Sequence, residues 1–173
     1  ARTTPLPSGG LATTDVFGRL SLRLRYALVR SRTFDLSGQV AFDVEDETQN
    51  LLPGALGAPI AADRLRVLRL TGDADFPTPW GASMGAEQVA SFGLDALGAR
   101  TAAQAAASNI PLSRQGADAR FVKWEGTLTY TQTLAEHLNL NLSAHGQTSF
   151  GRALARAEQI GVAGPGALSA FDV

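Results

Sequence analysis

From Val16 the chain alternates strictly with period two. One parity reads Leu20, Leu22, Leu24, Tyr26, Leu28 and the other Arg19, Ser21, Arg23, Arg25, Ala27. In a strand, successive side chains point to opposite faces, so every aliphatic falls on one side and three arginines on the other. Wound as a helix, the same residues would spread arginine around the whole circumference, which no single interface accepts. The next segment repeats the pattern. Phe34, Leu36, Gly38, Val40, Phe42 and Val44 alternate with Asp35, Ser37, Gln39, Ala41, Asp43 and Glu45, and only Arg30-Ser31-Arg32 separates the two runs. This is the signature of an antiparallel hairpin. Both strands exceed the ~5–6 residues usual in a soluble sheet. They match the ~9–11 that cross a bilayer at a tilt.

The pattern predicts strands near 16–30, 33–45, 63–74, 82–92, 121–133 and 138–149. The segment Asp63 to Ala74 is less regular, with Arg64, Leu65, Arg66, Val67, Leu68, Arg69 and Leu70, and reads as a bulged strand. In the later strands Val122, Trp124, Gly126, Leu128 and Tyr130 oppose Lys123, Glu125, Thr127, Thr129 and Thr131. Likewise Leu138, Leu140, Leu142 and Ala144 oppose Asn139, Asn141, Ser143, His145 and Gln147. Short turns are expected near 30–32, 75–81 and 132–137, and long loops at 46–62, 93–120 and 150–173. Short turns at one end and long loops at the other is the pattern of bacterial outer-membrane barrels. The fold expected is therefore all-β: a segment of about six strands of an antiparallel up-and-down transmembrane β-barrel, all of 1–173 belonging to that one domain. Six strands do not close a lipid-facing barrel, and open edges cannot be left unsatisfied in lipid. The rest of the barrel is expected outside this segment. A soluble β-sandwich with one wet face per sheet is the competing architecture.

Composition narrows the chemistry. Lys+Arg number 15 against Asp+Glu 16, a net charge of -1, so no cationic surplus exists to neutralise nucleic-acid phosphates. Cys 0 removes disulfides, thiolate metal sites and thiol nucleophiles, and His 2 leaves little for metal ligation or general-base work. No catalytic residue, metal site or cofactor is expected. The stretch from Ala1 lacks the character of a signal peptide, so an export signal is expected upstream.

Several residues resemble a known family. Tyr26-Ala27-Leu28-Val29-Arg30-Ser31-Arg32, with Leu36 and Asp43, is similar to a strand–turn–strand of the two-partner secretion transporters, the haemolysin secretion/activation (TpsB) family. Ser113-Arg114-Gln115-Gly116-Ala117 followed by Phe121 resembles the approach to a later strand. Gln147, then Ala157-Glu158-Gln159-Ile160 with Gly164, resembles the stretch before that family's lumen-penetrating loop. The resemblance implies a sixteen-stranded barrel of the Gram-negative outer membrane, preceded by periplasmic POTRA domains. It implies export of a partner polypeptide without ATP. Partners would be a secreted or surface-anchored protein, the lipid bilayer and the remaining barrel and POTRA domains. It also implies a loop motif Val-Arg-Gly-Phe/Tyr whose Arg reaches a wall carboxylate. Here those positions are Leu168, Ser169, Ala170 and Phe171; the aromatic is kept and the Arg and Gly are replaced. Ser169 cannot form the charge-assisted bidentate pair. A diverged barrel acting as a structural anchor or scaffold for a surface assembly is the alternative function.

On this reading Arg19, Arg23, Arg25, Asp35, Asp43, Glu45, Lys123 and Glu125 face the lumen. Ion pairs are expected across the first hairpin, between Arg23 or Arg25 and Asp35, Asp43 or Glu45, with Arg25 near residue 37. Leu22, Leu24, Leu36, Val40, Leu140 and Leu142 face lipid. Trp80 and Trp124 suit interfacial aromatics. Ala99 to Ser108 favours a short helix inside a long loop. Gly81-Ala82-Ser83-Met84-Gly85 fits the nucleophile elbow of serine hydrolases, which gives a remote alternative: a soluble hydrolase using Ser83, with His137 or His145 as base. Asp73, Asp75 and Asp95 lack calcium-loop spacing.

Overall fold

The computed structural model describes residues 13–51 and 59–160, and the backbone of Arg2–Thr3. The chain forms one open antiparallel sheet in strict up-and-down order: β1 (Arg2–Thr3), β2 (Thr13–Arg30), β3 (Asp35–Leu51), β4 (Pro59–Pro77), β5 (Ser83–Gly93), β6 (Val122–Ala135) and β7 (Leu138–Thr148). Among the described residues β7 has no partner on its outer side, and β2 is covered only where Arg2–Thr3 meet Asp15 and Val16. The sheet therefore carries two long edges.

Register keeps the two parities apart across all six long strands. Leu24, Val40, Leu70, Ala90, Trp124 and Thr148 form one cross-strand row of the apolar face. That face has no covering layer: Leu20, Leu22, Leu24 and Tyr26 are each more than 70% exposed. The charged face is buried where the later loops cross it: Asp43 and Ser91 are fully buried and Glu45 and Lys123 nearly so, whereas Arg23, Arg25 and Asn141 are exposed. This inverts the arrangement of a water-soluble sheet, in which the apolar face is covered.

Three differences from the sequence reading have physical causes. The strand at 63–74 is not bulged; its register runs unbroken from Ala61 to Asp75. Its pattern looks irregular because the charged face changes character along it. Leu65 and Val67 lie beneath loop residues Leu112, Ala117, Phe121, Leu154 and Ala155, whereas Arg69 and Asp73 on the same parity join ion pairs. The bulges lie instead at Ala27/Val29, Gln49/Asn50 and Thr133/Ala135. Second, much of the expected loop 46–62 is strand. β3 runs on to Leu51 and β4 starts at Pro59, because cross-strand pairing carries the ladder past the acidic run Glu45-Asp46-Glu47. Third, the first turn spans Ser31–Phe34, where the Ser31 hydroxyl donates to the Phe34 carbonyl and accepts from the Phe34 amide. Arg25 consequently stands directly opposite Gln39, two residues from position 37, although its guanidinium still reaches the Ser37 hydroxyl. A shift of two residues changes the partners but preserves the faces.

The loop between β5 and β6 is built rather than loose. Leu94 and Arg100 donate backbone hydrogen bonds to the carbonyls of Arg66 and Arg64, extending the sheet beyond the end of β5. The helix α1 (Ala102–Ser108) follows, started by a capping box between Thr101 and Gln104 and closed by left-handed Asn109. The chain then returns to place Phe121 over Gly93. A Cβ at Gly93 would collide with the Ala119 carbonyl oxygen and the Phe121 ring, so this crossing requires glycine.

Candidate functional site

The notable centre lies on the charged face. Register sets Arg19 opposite Glu45, Ser21 opposite Asp43, Arg69 opposite Ser91, and Ser91 opposite Lys123. All therefore stand on one side of the sheet across five adjacent strands, β2 to β6. Arg19 donates to Asp43 at 2.5 Å and lies 3.3 Å from Glu45. The Ser21 hydroxyl donates to the other Asp43 oxygen at 2.5 Å. Arg69 is the hub. Its Nε reaches Asp43 at 2.6 Å, its Nη2 reaches Glu45 at 3.1 Å, and its Nη1 donates to the Ser91 hydroxyl at 3.0 Å.

The same guanidinium grips a residue from far along the chain. After β7 the segment 149–160 folds back over the charged face. Its short 3-10 turn, η1 (Arg156–Glu158), delivers a Glu158 side chain with no exposed surface. Arg69 binds this carboxylate with both Nη atoms, at 2.5 and 3.1 Å, a bidentate fork. Lys123 Nζ lies 2.6 Å from the same carboxylate and 3.0 Å from Glu125. The Glu158 backbone carbonyl accepts from both Lys123 Nζ and Gln147 Nε2 at 3.3 Å. Leu154 and Ala155 pack into the small apolar cluster beside Leu65 and Val67. Ala153 forms a parallel bridge with Ala117, Arg156 N–H donates to the Ser113 hydroxyl at 2.9 Å, and Arg156 pairs with Asp15 at 3.3 Å.

Burial pushes the Glu158 carboxyl up, but the Arg69 hydrogen bonds and the Arg69 and Lys123 charges outweigh it and hold it below the usual carboxylate range. A carboxyl depressed in the docked state contributes docking stability above its free pKa, and that contribution is lost as pH falls through the docked value. A spin label at Ala157→Cys should therefore stay immobile at neutral pH and at pH ~5. It should become mobile only below ~4, the free glutamate value being ~4.3. Release at pH ~5 or above would contradict the assignment.

The sequence-predicted residues divide clearly. Arg19, Asp43, Glu45, Lys123 and Glu125 meet in this network. Arg25 does not join it; it bonds Ser37 at 2.8 Å and reaches across β3 to Asp73 at 3.3 Å. Asp35 accepts the Ser31 amide in the turn. Arg23 stands opposite Ala41 and takes part in no ion pair among the described residues. The hairpin ion pairs thus come from Arg19, not from Arg23 or Arg25, because Arg19 is the arginine that register sets beside the acids. Leu168, Ser169, Ala170 and Phe171 lie outside the described residues. Ser83 is the exposed first residue of β5, paired with Thr131; a strand follows it where a nucleophile elbow requires a helix. His137 lies in the turn before β7, and His145 Nδ1 is 2.9 Å from the Thr127 hydroxyl.

On the other face the apolar band is bounded. At the short-turn end the Trp80 indole donates to the Tyr130 hydroxyl at 3.1 Å, and Phe34 and Phe76 stand 6.4 Å apart. At the long-loop end Trp124 is exposed, and beyond it Arg66 is buried, donating to the Leu97 carbonyl and pairing with Asp46 at 3.0 Å. Between these limits β4 presents Leu68, Leu70, Gly72, Ala74 and Phe76. That stretch has the ~9-residue length of a tilted membrane-crossing strand. No protein-family model matches the chain, and no curated protein and no solved structure matches it.

Proposed function

We propose that the chain is part of the wall of a bacterial outer-membrane β-barrel that carries a partner polypeptide across that membrane, in the manner of two-partner secretion. In this reading the apolar face meets lipid and the charged face lines the lumen. One observation carries it: the sheet leaves its aliphatic face bare over a membrane-length band while the opposite face holds a buried ion-pair network around Asp43, Glu45 and Lys123. In water that arrangement forfeits the hydrophobic contribution of every exposed leucine, whereas in lipid it is the stable one. The two open edges need further strands of the same barrel, as closure in lipid demands. The aromatic residues at both limits of the band suit the two membrane interfaces.

Ser169 in place of the arginine of the resembled motif favours the second reading, a barrel that anchors a surface assembly. The experiment joins Ser169→Arg with Ala170→Gly in the full reading frame, expressed beside its genomic neighbour in a Gram-negative host. Increased surface release of the neighbour's product supports export. Normal surface assembly with unchanged release supports the anchor. Absence of the protein from the outer membrane overturns both.

A further inference from the structure

Glu158 is held as a ligand is held. Five polar contacts converge on one residue: two from the Arg69 fork and one from Lys123 on the carboxylate, then Lys123 and Gln147 on the backbone carbonyl. The wall thus reads an acidic side chain and its own main-chain carbonyl together. That pairing is specific to an Asp or Glu residue within a polypeptide. A free anion would use only the first half.

The wall is charge-balanced without its occupant. Without Glu158, the wall cations Arg19, Arg69 and Lys123 face Asp43, Glu45 and Glu125, three against three. Undocking therefore leaves no unpaired charge behind, which is the usual large cost of breaking a buried pair. The occupant is also carried on a short segment whose remaining anchors are small: Leu154 and Ala155, one bridge at Ala153, the Arg156 N–H on the Ser113 hydroxyl, and the Arg156 ion pair with Asp15.

We propose that Arg69, Lys123 and Gln147 form a binding site for an acidic residue of an extended polypeptide in the lumen, filled in cis by Glu158 until a passing chain displaces it. This deepens the transport reading and rests on it for the source of the polypeptide. A carboxylate arriving from the cargo takes the fork, the 149–160 segment lifts, and Glu158 returns when the cargo has passed.

The test uses the full-length protein in lipid nanodiscs, with any cysteine outside this cysteine-free segment replaced by serine, spin-labelled at Ala157→Cys. Two pentapeptides are titrated, Gly-Ser-Glu-Ser-Gly and Gly-Ser-Gln-Ser-Gly. The glutamate peptide should mobilise the label saturably, and the glutamine peptide should need about tenfold more, the value of one charge-assisted contact. Glu158→Gln should mobilise the label without peptide, which fixes the signal of the released state. Equal potency of the two peptides overturns the proposal. So does failure of the glutamate peptide to release the segment, or an immobile label in Glu158→Gln. The surface-release assay separates this from the wider reading. Displacement without export leaves the site standing and removes transport; export without displacement does the reverse.

Discussion

Replacing Arg69 by methionine is expected to destabilise the protein by about 3–5 kcal/mol, the cost of removing one partner from a buried charge pair. Methionine approximates the arginine stem, so the loss isolates the guanidinium. Asp43, Glu45 and Glu158 would then share Arg19 and Lys123, and neither reaches all three. Arg19→Met should cost clearly less, because its side chain is 36% exposed and Arg69 still holds Asp43. The measurement is the urea midpoint of protein refolded into lipid vesicles, with unchanged slope marking a pure stability effect. A midpoint loss no larger for Arg69→Met than for Arg19→Met would show that the hub is wrongly placed.

Leu70→Arg should cost at least ~1 kcal/mol in the same vesicles, as expected for a cation on the proposed lipid face between the interface and the bilayer centre. Leu70 is the right probe because it lies within the apolar band on an interior strand and is 44% exposed. An arginine there would overlap little protein. In water the same change at so exposed a position should fall within ~0.5 kcal/mol. Asn141→Arg, on the opposite face of β7, should stay within ~0.5 kcal/mol in either setting. The contrast separates a membrane wall from a soluble sheet without reference to any transport activity. Near-neutral Leu70→Arg in vesicles would favour the sheet in water.

The faces of β2 were legible because each parity keeps one character along most of the strand: Leu20 to Leu28 against Arg19 to Arg25. The faces of β4 were not. Its charged side is apolar at Leu65 and Val67 and ion-paired at Arg69 and Asp73, so the alternation dissolves into interleaved Arg and Leu. Arg69, the hub, is hidden there behind Arg64 and Arg66, which lie beyond the band and meet the β5–β6 loop. Parity counted back from Asp73 through Thr71 would have placed it on the charged face. The end of β3 is obscured for a related reason: Asp46-Glu47 reads as the start of a loop, although Arg66 pairs with Asp46 on one face and Arg19 with Glu45 on the other. Glu158 had no local signal. It stands 89 residues from Arg69 in sequence, and only the fold-back of the segment after β7 brings them together.

The central claim is that one face of this sheet meets lipid and the other meets a water-filled lumen. Single cysteines at Leu22, Leu140, Ser37 and Asn141 test it most directly, since this segment has Cys 0 and any cysteine elsewhere in the full-length protein is first replaced by serine. The full-length protein in outer-membrane vesicles is treated with a membrane-impermeant maleimide. Ser37→Cys and Asn141→Cys should label, while Leu22→Cys and Leu140→Cys should label only after the membrane is dissolved in denaturant. Labelling of the two leucine positions in intact membranes, with Ser37 and Asn141 protected, would invert the faces and contradict the account.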